Sequence, residues 1–232
     1  MCLQTHRSEI QKMPQNKRVI LINPLSTKTK MVGEVLWLPY GCLYLSESLH
    51  RYGYEPCIVY TTNDETIKKV KQLVTDETRC IGISTMSGTQ LLNAIYIAKV
   101  LKEMYPHLLL IWGGVHTTAL PEQTLKSKLV DIIVWGEAED VLPAVLEAID
   151  NDNLNSIIGQ PGIGIKRNGE CVIGPNSGYT VLHDRVFKLP YHLLDISRFV
   201  RKLNIGPKRE FPIWTSRGCP YRCKFCSNSS KF

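Results

Sequence analysis

HLLLIWGGVHTTALPEQTLKSKLVDIIVWGEAED, residues 107–140, holds two short apolar runs, 108–112 and 131–134, each followed by glycine and polar residues. Near-continuous apolar runs of this length mark strands buried on both faces, as in a parallel sheet. Three more lie upstream, at 19–22, 57–60 and 80–83. Between the runs, apolar residues recur at helical spacing: Cys42, Leu45 and Leu49; Ile67, Val70 and Val74; Leu91, Ile95, Ala98 and Leu101. Gly53 and Asn63 stand where a helix stop and a helix start are expected. Strands alternating with helices give an α/β fold, a doubly wound five-stranded parallel sheet over residues 17–150. The flavodoxin-like order 2-1-3-4-5 is expected, with ligands beyond the carboxyl ends of the strands.

Outside that block the pattern changes. Residues 1–16 form an N-terminal tail without the apolar core of a secretory signal. Residues 151–210 read as a hairpin and linker, with GIGIKRNGECVIG (162–174) turning at Asn168-Gly169. Residues 211–215 read as one more strand, which opens a last segment, 211–232.

The chain has 232 residues and 44% hydrophobic content, enough for a proper core. Its longest apolar stretch falls far short of the roughly 20 residues that span a bilayer. A cytoplasmic location is expected. The net charge is +7, and from residue 184 onward eleven basic residues face three acidic ones, a net +8 that leaves −1 for the remainder. A basic tail can bind anionic ligands or nucleic acid; a solvated segment balanced by a partner explains it equally well, and nucleic acid is not expected.

Of the eight cysteines, Cys2, Cys42, Cys57, Cys80 and Cys171 are scattered, whereas Cys219, Cys223 and Cys226 form C-x-x-x-C-x-x-C. In a reducing compartment this contrast favours metal binding by the cluster of three. Three thiolates from one loop suit a 4Fe-4S cluster with one iron left open for a small-molecule ligand. A zinc site would need a fourth ligand such as Cys171, His183 or His192.

The sheet edge carries neither G-x-G-x-x-G nor G-x-x-x-x-G-K. Small residues follow the strands instead: Ser84-Thr85-Met86-Ser87-Gly88, Gly113-Gly114-Val115-His116 and Gly136-Glu137. Such loops let a bulky, flat ligand approach the backbone. Ser84 could also cap the next helix, Gly113-Gly114 could merely turn the chain, and His116 suits a loop hydrogen bond. Glu137, Glu139 and Asp140 suit the dipole at the start of the fifth helix.

RGCPYRCKFCS (217–227) resembles the cluster loop of the radical S-adenosylmethionine (SAM) superfamily. IWGGVHTTALPEQTL with DIIVWGEAED, and LPYGCLYLSESLHRYGYEP (38–56), resemble the cobalamin-binding, Rossmann-like domain that precedes the barrel in B12-dependent members of that superfamily. The resemblance implies Cys219, Cys223 and Cys226 as cluster ligands and Phe225 flanking the adenine of SAM. It places Ser84, Met86, Gly113, Gly114, Gly136 and Glu137 at cobalamin, with Met86 where the family has leucine. The loop after the first strand, Asn23-Pro24-Leu25-Ser26-Thr27-Lys28, lacks the D-x-H-x-x-G of the histidine-ligated relatives.

The resemblance also implies an electron donor of flavodoxin or ferredoxin type, and radical methylation or oxidative and rearrangement chemistry. Because the sequence stops six residues after Cys226, it is expected to be a fragment truncated within an incomplete radical SAM barrel and not to turn over alone. Two alternatives stand beside it: a standalone cobalamin-binding module, and a flavodoxin-like domain with a zinc-bound tail.

Overall fold

The computed structural model describes residues 17–25, 36–178, 188–202, 209–219, 221 and 223–226. The tail 1–16, Ser26, Thr27, Lys28 and His183 lie outside the described residues.

Five apolar runs become five parallel strands: β1 (Arg18–Ile22), β2 (Glu55–Val59), β3 (Thr78–Ser84), β4 (Leu109–Gly113) and β5 (Ile132–Val134). Their order is β2-β1-β3-β4-β5, as expected from the sequence. The helices α1 (Tyr40–Arg51), α2 (Asn63–Leu73), α3 (Thr89–Met104), α4 (Val115–Ala119), α5 (Pro121–Lys126) and α6 (Val141–Asp150) occupy the crossovers. Beyond β5 the sheet continues into β6 (Ile163–Arg167) and β7 (Glu170–Ile173), an antiparallel hairpin that extends it to seven strands. Its turn is Asn168-Gly169, with φ of 51° and 84°, the left-handed pair that a two-residue hairpin requires.

Period-two alternation explains why both faces are covered. In β1, Val19 and Leu21 pack toward α1 and α6, with Leu49, Leu142 and Leu146. Ile20 and Ile22 pack the other way, with Val70, Ile97 and Leu101 of α2 and α3. Each such side chain, fully buried, contributes about 1.5–3 kcal/mol. A third cluster joins Leu25, Leu38, Tyr40, Leu43 and Tyr60 to Phe199 of the linker, which is 1% exposed and stacks on Tyr60. Arg198 donates to the Tyr60 carbonyl at 3.1 Å, so the linker docks beside α1 and β2.

Two expectations need correction. On α3 the buried residues include Ala94, Ile97, Ala98 and Leu101, while Ile95 is 41% exposed beside Leu92 and Tyr96. The inward face is set by helix position, and a small alanine holds it where the larger isoleucine was expected. Residues 211–215 join no ladder; the short pair β8 (Arg201–Lys202) and β9 (Arg209–Glu210) precedes them. A strand needs a partner for its N–H and C=O groups, and no described strand lies alongside these.

Candidate functional site

The last residues of β1, β3, β4 and β5 (Ile22, Ser84, Gly113 and Val134) border one cavity of about 140 Å³. It lies at the carboxyl edge of the sheet, where open α/β folds place ligands. Leu21, Ile83, Ile111, Leu45 and Leu142 make most of its lining apolar, and Gly41 and Cys42 of α1 complete that part. Among the described residues its charged lining is Glu137, Glu139 and Arg217.

The loops around it are fixed by short hydrogen bonds. Thr85 donates its backbone N–H to the Gly113 carbonyl at 2.8 Å, and the His116 N–H returns to the Thr85 carbonyl at 3.0 Å. The Thr85 and Thr117 hydroxyls meet at 2.9 Å. Gly114 has φ of +94°, and a Cβ there would stand 2.7 Å from the Thr85 carbonyl oxygen and 2.8 Å from its nitrogen. This glycine is therefore demanded by the crossing of two loops, independently of any ligand. Gly136, with φ of +83°, is constrained by side chains instead, chiefly the Ser177 hydroxyl, which donates to the Glu137 carbonyl at 3.2 Å. Gly41 differs: a Cβ on it would meet nothing within 4 Å. It lines the cavity and keeps that space open.

Of the six positions expected at cobalamin, Ser84, Gly113, Gly114, Gly136 and Glu137 border this one cavity. Met86 does not line it and is 46% exposed. Ser84 caps no helix; the residue ahead of α3 is Gly88, with no side-chain cap. Glu137 and Glu139 do not open the fifth crossover helix either, because α6 begins at Val141. Their charges are met by a distant cation: Arg217 reaches Glu137 at 3.3 Å and pairs more closely with Glu139. The same guanidinium lies 4.9 Å from the Tyr44 ring centroid. Burial alone would lower the pKa of Arg217; the hydrogen bond to Glu139 and the charges of both carboxylates outweigh it and hold the pKa above its ordinary value. So one member of the basic tail is a partly buried ion-pair partner, not a fully solvated charge.

His116 is 8% exposed, with Nδ1 2.9 Å from the Ser87 hydroxyl, and burial lowers its pKa. That arrangement is a loop hydrogen bond. Cys42 and Cys80 are buried, and burial pushes both thiols up to about 12.

The segment leading to the cysteines lies against α1. Tyr40 donates its hydroxyl to the Pro212 carbonyl at 2.6 Å, and Trp214 stacks on Tyr40 with centroids 4.4 Å apart. Beyond it, Cys219 and Cys223 are exposed, Cys226 is partly buried and Phe225 is 93% exposed. A turn joins the Cys226 N–H to the Cys223 carbonyl at 3.0 Å. Among the described residues no group of three or more His, Cys, Asp or Glu side chains is placed to hold a metal ion, and neither Cys171 nor His192 completes one. Three thiols suit an iron–sulfur cluster by donor chemistry, but their arrangement here is not a closed ligand set.

Sequence reasoning missed Gly41, Arg217, Glu139 as an ion-pair partner, and the Tyr40–Trp214 stack. The signal available for Arg217 was only an arginine two residues ahead of the first clustered cysteine, with two glutamates lying far upstream.

Residues 32–146 match the family model described as the B12 binding domain. Across 93% of its length the chain is 25% identical to the uncharacterized methyltransferase PH0819 of Pyrococcus horikoshii, of which it covers 46%. It is 31% identical over 137 residues to the cobalamin-dependent radical SAM methyltransferase TokK of Streptomyces tokunonensis, covering 56% of this chain and 19% of that one. The fold matches that of the radical S-adenosylmethionine methyltransferase TsrM from Kitasatospora setae, solved with cobalamin and a [4Fe-4S] cluster, with a TM-score of 0.62 and 17% identity over 93% of this chain and 42% of that one. The chain thus spans less than half the length of these relatives. Among the described residues no helix is long and apolar enough to cross a membrane. The expected likeness to cobalamin-dependent radical SAM proteins is borne out.

Proposed function

The chain carries a B12 binding domain, and from that premise we propose that it binds cobalamin at the carboxyl edge of the sheet and belongs to an enzyme that pairs this cofactor with SAM cleavage at a 4Fe-4S cluster. One observation supports the reading above the others. The cavity bordered by Gly41, Gly113, Gly114 and Gly136 shares its charged wall with Arg217, two residues ahead of Cys219.

The lining suits one face of a corrin in chemistry, being largely apolar with Gly41 leaving the space in front of α1 open; a cavity of about 140 Å³ would take only part of so large a ligand, the rest lying outside it. Ser84, Gly113, Gly114, Gly136 and Glu137 would lie nearest it. Cys219, Cys223 and Cys226 would supply the cluster thiolates once drawn together, with Phe225 beside the adenine of SAM. When bound, the two cofactors would supply methyl-group or radical chemistry of the methylation, oxidation or rearrangement kind. The protein's part is to exclude water with the apolar lining, to hold a charged edge through Glu137, Glu139 and Arg217, and to keep the cysteine segment beside the cavity. The reading includes a cytoplasmic setting and an electron donor of flavodoxin or ferredoxin type.

Anaerobic reconstitution with iron and sulfide, followed by absorption and EPR spectra with and without hydroxocobalamin, tests both cofactors. Retained corrin plus an iron–sulfur signal is expected. Corrin without iron would favour a cofactor-carrying module, a reading that the open arrangement of the three thiols also suits. Protein that retains no corrin would overturn the proposal.

A further inference from the structure

We propose that Arg217 is a positioning residue whose clasp on Glu137 and Glu139 fixes the first cysteine of the loop, Cys219, beside the cavity. The inference rests on the reading of 219–226 as a cluster loop. It draws on three facts: the Arg217 side chain is 18% exposed, those of Glu137 and Glu139 are 11% and 4% exposed, and all three residues line the cavity. Glu139 is also tied through its backbone, because the Ser48 hydroxyl of α1 donates to its carbonyl. The guanidinium therefore bridges the loop after β5 and the Tyr44 face of α1.

Chain geometry converts this clasp into a limit on the cysteines. Two residues span at most about 7 Å, so Cys219 cannot leave the neighbourhood of Arg217. Without the clasp, the next anchor upstream is Trp214 on Tyr40, five residues from Cys219, and the permitted reach grows to about 17 Å.

Spin labels on Cys219 and on an exposed α3 site, Lys99→Cys, would measure this by double electron–electron resonance, with Cys2, Cys57, Cys171, Cys223 and Cys226 changed to serine. Cys42 and Cys80 stay, since their buried, high-pKa thiols label only if the sheet opens. Arg217→Met is expected to widen the distance distribution roughly twofold, following the longer reach, with circular dichroism unchanged. Glu137→Gln, which leaves the Glu139 pair, should widen it less. An unchanged distribution in Arg217→Met overturns the clasp; if that variant fails to fold, an unchanged distribution in Glu137→Gln does so. Hydroxocobalamin binding is read separately by absorbance, so a chain that holds no corrin refutes the proposed function while the distances still decide the clasp.

Discussion

The sheet edge and the cysteine segment both carry residues suited to cofactors, yet they are built differently. At the edge, Gly114 cannot change without striking Thr85, and Thr85, Thr117 and His116 are locked to one another. In the segment, Cys219, Cys223, Tyr221 and Phe225 are exposed, and the attachments to the body among the described residues include Tyr40 to Pro212, Trp214 on Tyr40 and Tyr44, and Arg217 to two glutamates. The edge is set by folding the sheet; the segment is docked onto it. Changes at the edge should therefore be felt as stability, and changes in the segment as lost chemistry with stability intact.

The sharpest way to break this contrast is the triple replacement of Cys219, Cys223 and Cys226 by alanine. Iron incorporation after reconstitution should fall to background while the melting temperature holds, because the removed thiols are mostly exposed. Iron retained by the triple variant would show that the segment is not where metal binds. A melting temperature that drops by several degrees would show it to be part of the core.

Gly114→Ala tests the other half. The left-handed φ costs about 1–2 kcal/mol with a Cβ, and overlap with the Thr85 backbone adds about 1–3. Denaturant unfolding should show a loss of about 2–5 kcal/mol. A neutral result would mean that the loops after β3 and β4 are held more loosely than their hydrogen bonds imply.

The same contrast explains what could be read from sequence. Buried parallel strands announce themselves locally, so the runs at 19–22, 57–60, 80–83, 108–112 and 131–134 led to the correct strand order, and the glycines after them to the cavity edge. Arg217 and Glu139 lie 78 residues apart, and no local pattern encodes their meeting. A lone arginine in a basic tail looks solvated until the fold brings a carboxylate to it. Ile95 was misplaced for a related reason: hydrophobicity ranks isoleucine above alanine, but the α3 surface facing the sheet has room for Ala94. Residues 211–215 have the composition of a strand, but pairing is decided by what lies alongside.

Gly41→Leu sharpens the comparison from within the cavity. A Cβ there meets nothing within 4 Å, and leaving glycine in a helix favours stability by roughly 0.5–1 kcal/mol. Stability should hold or rise while corrin affinity, measured by absorbance titration, falls at least about tenfold, since a tenfold loss corresponds to only 1.4 kcal/mol. Unaltered affinity would place the ligand elsewhere.

The smallest expected effect belongs to His116. Burial lowers its pKa in the folded protein, whereas the unfolded chain titrates near its ordinary value of about 6.5. Below that pH the unfolded state binds the proton that the folded state resists, so stability falls as pH drops from about 6.5 toward and through the folded value, and is unaffected above it. His116→Asn keeps a polar atom near Nδ1 for Ser87 without a titrating ring. Thermal melts between pH 7 and 5 should therefore decline less steeply in the variant than in the parent. Equal slopes would mean that the imidazole takes up its proton without disturbing the Ser87 contact, and the edge would then be softer at this corner than at Gly114.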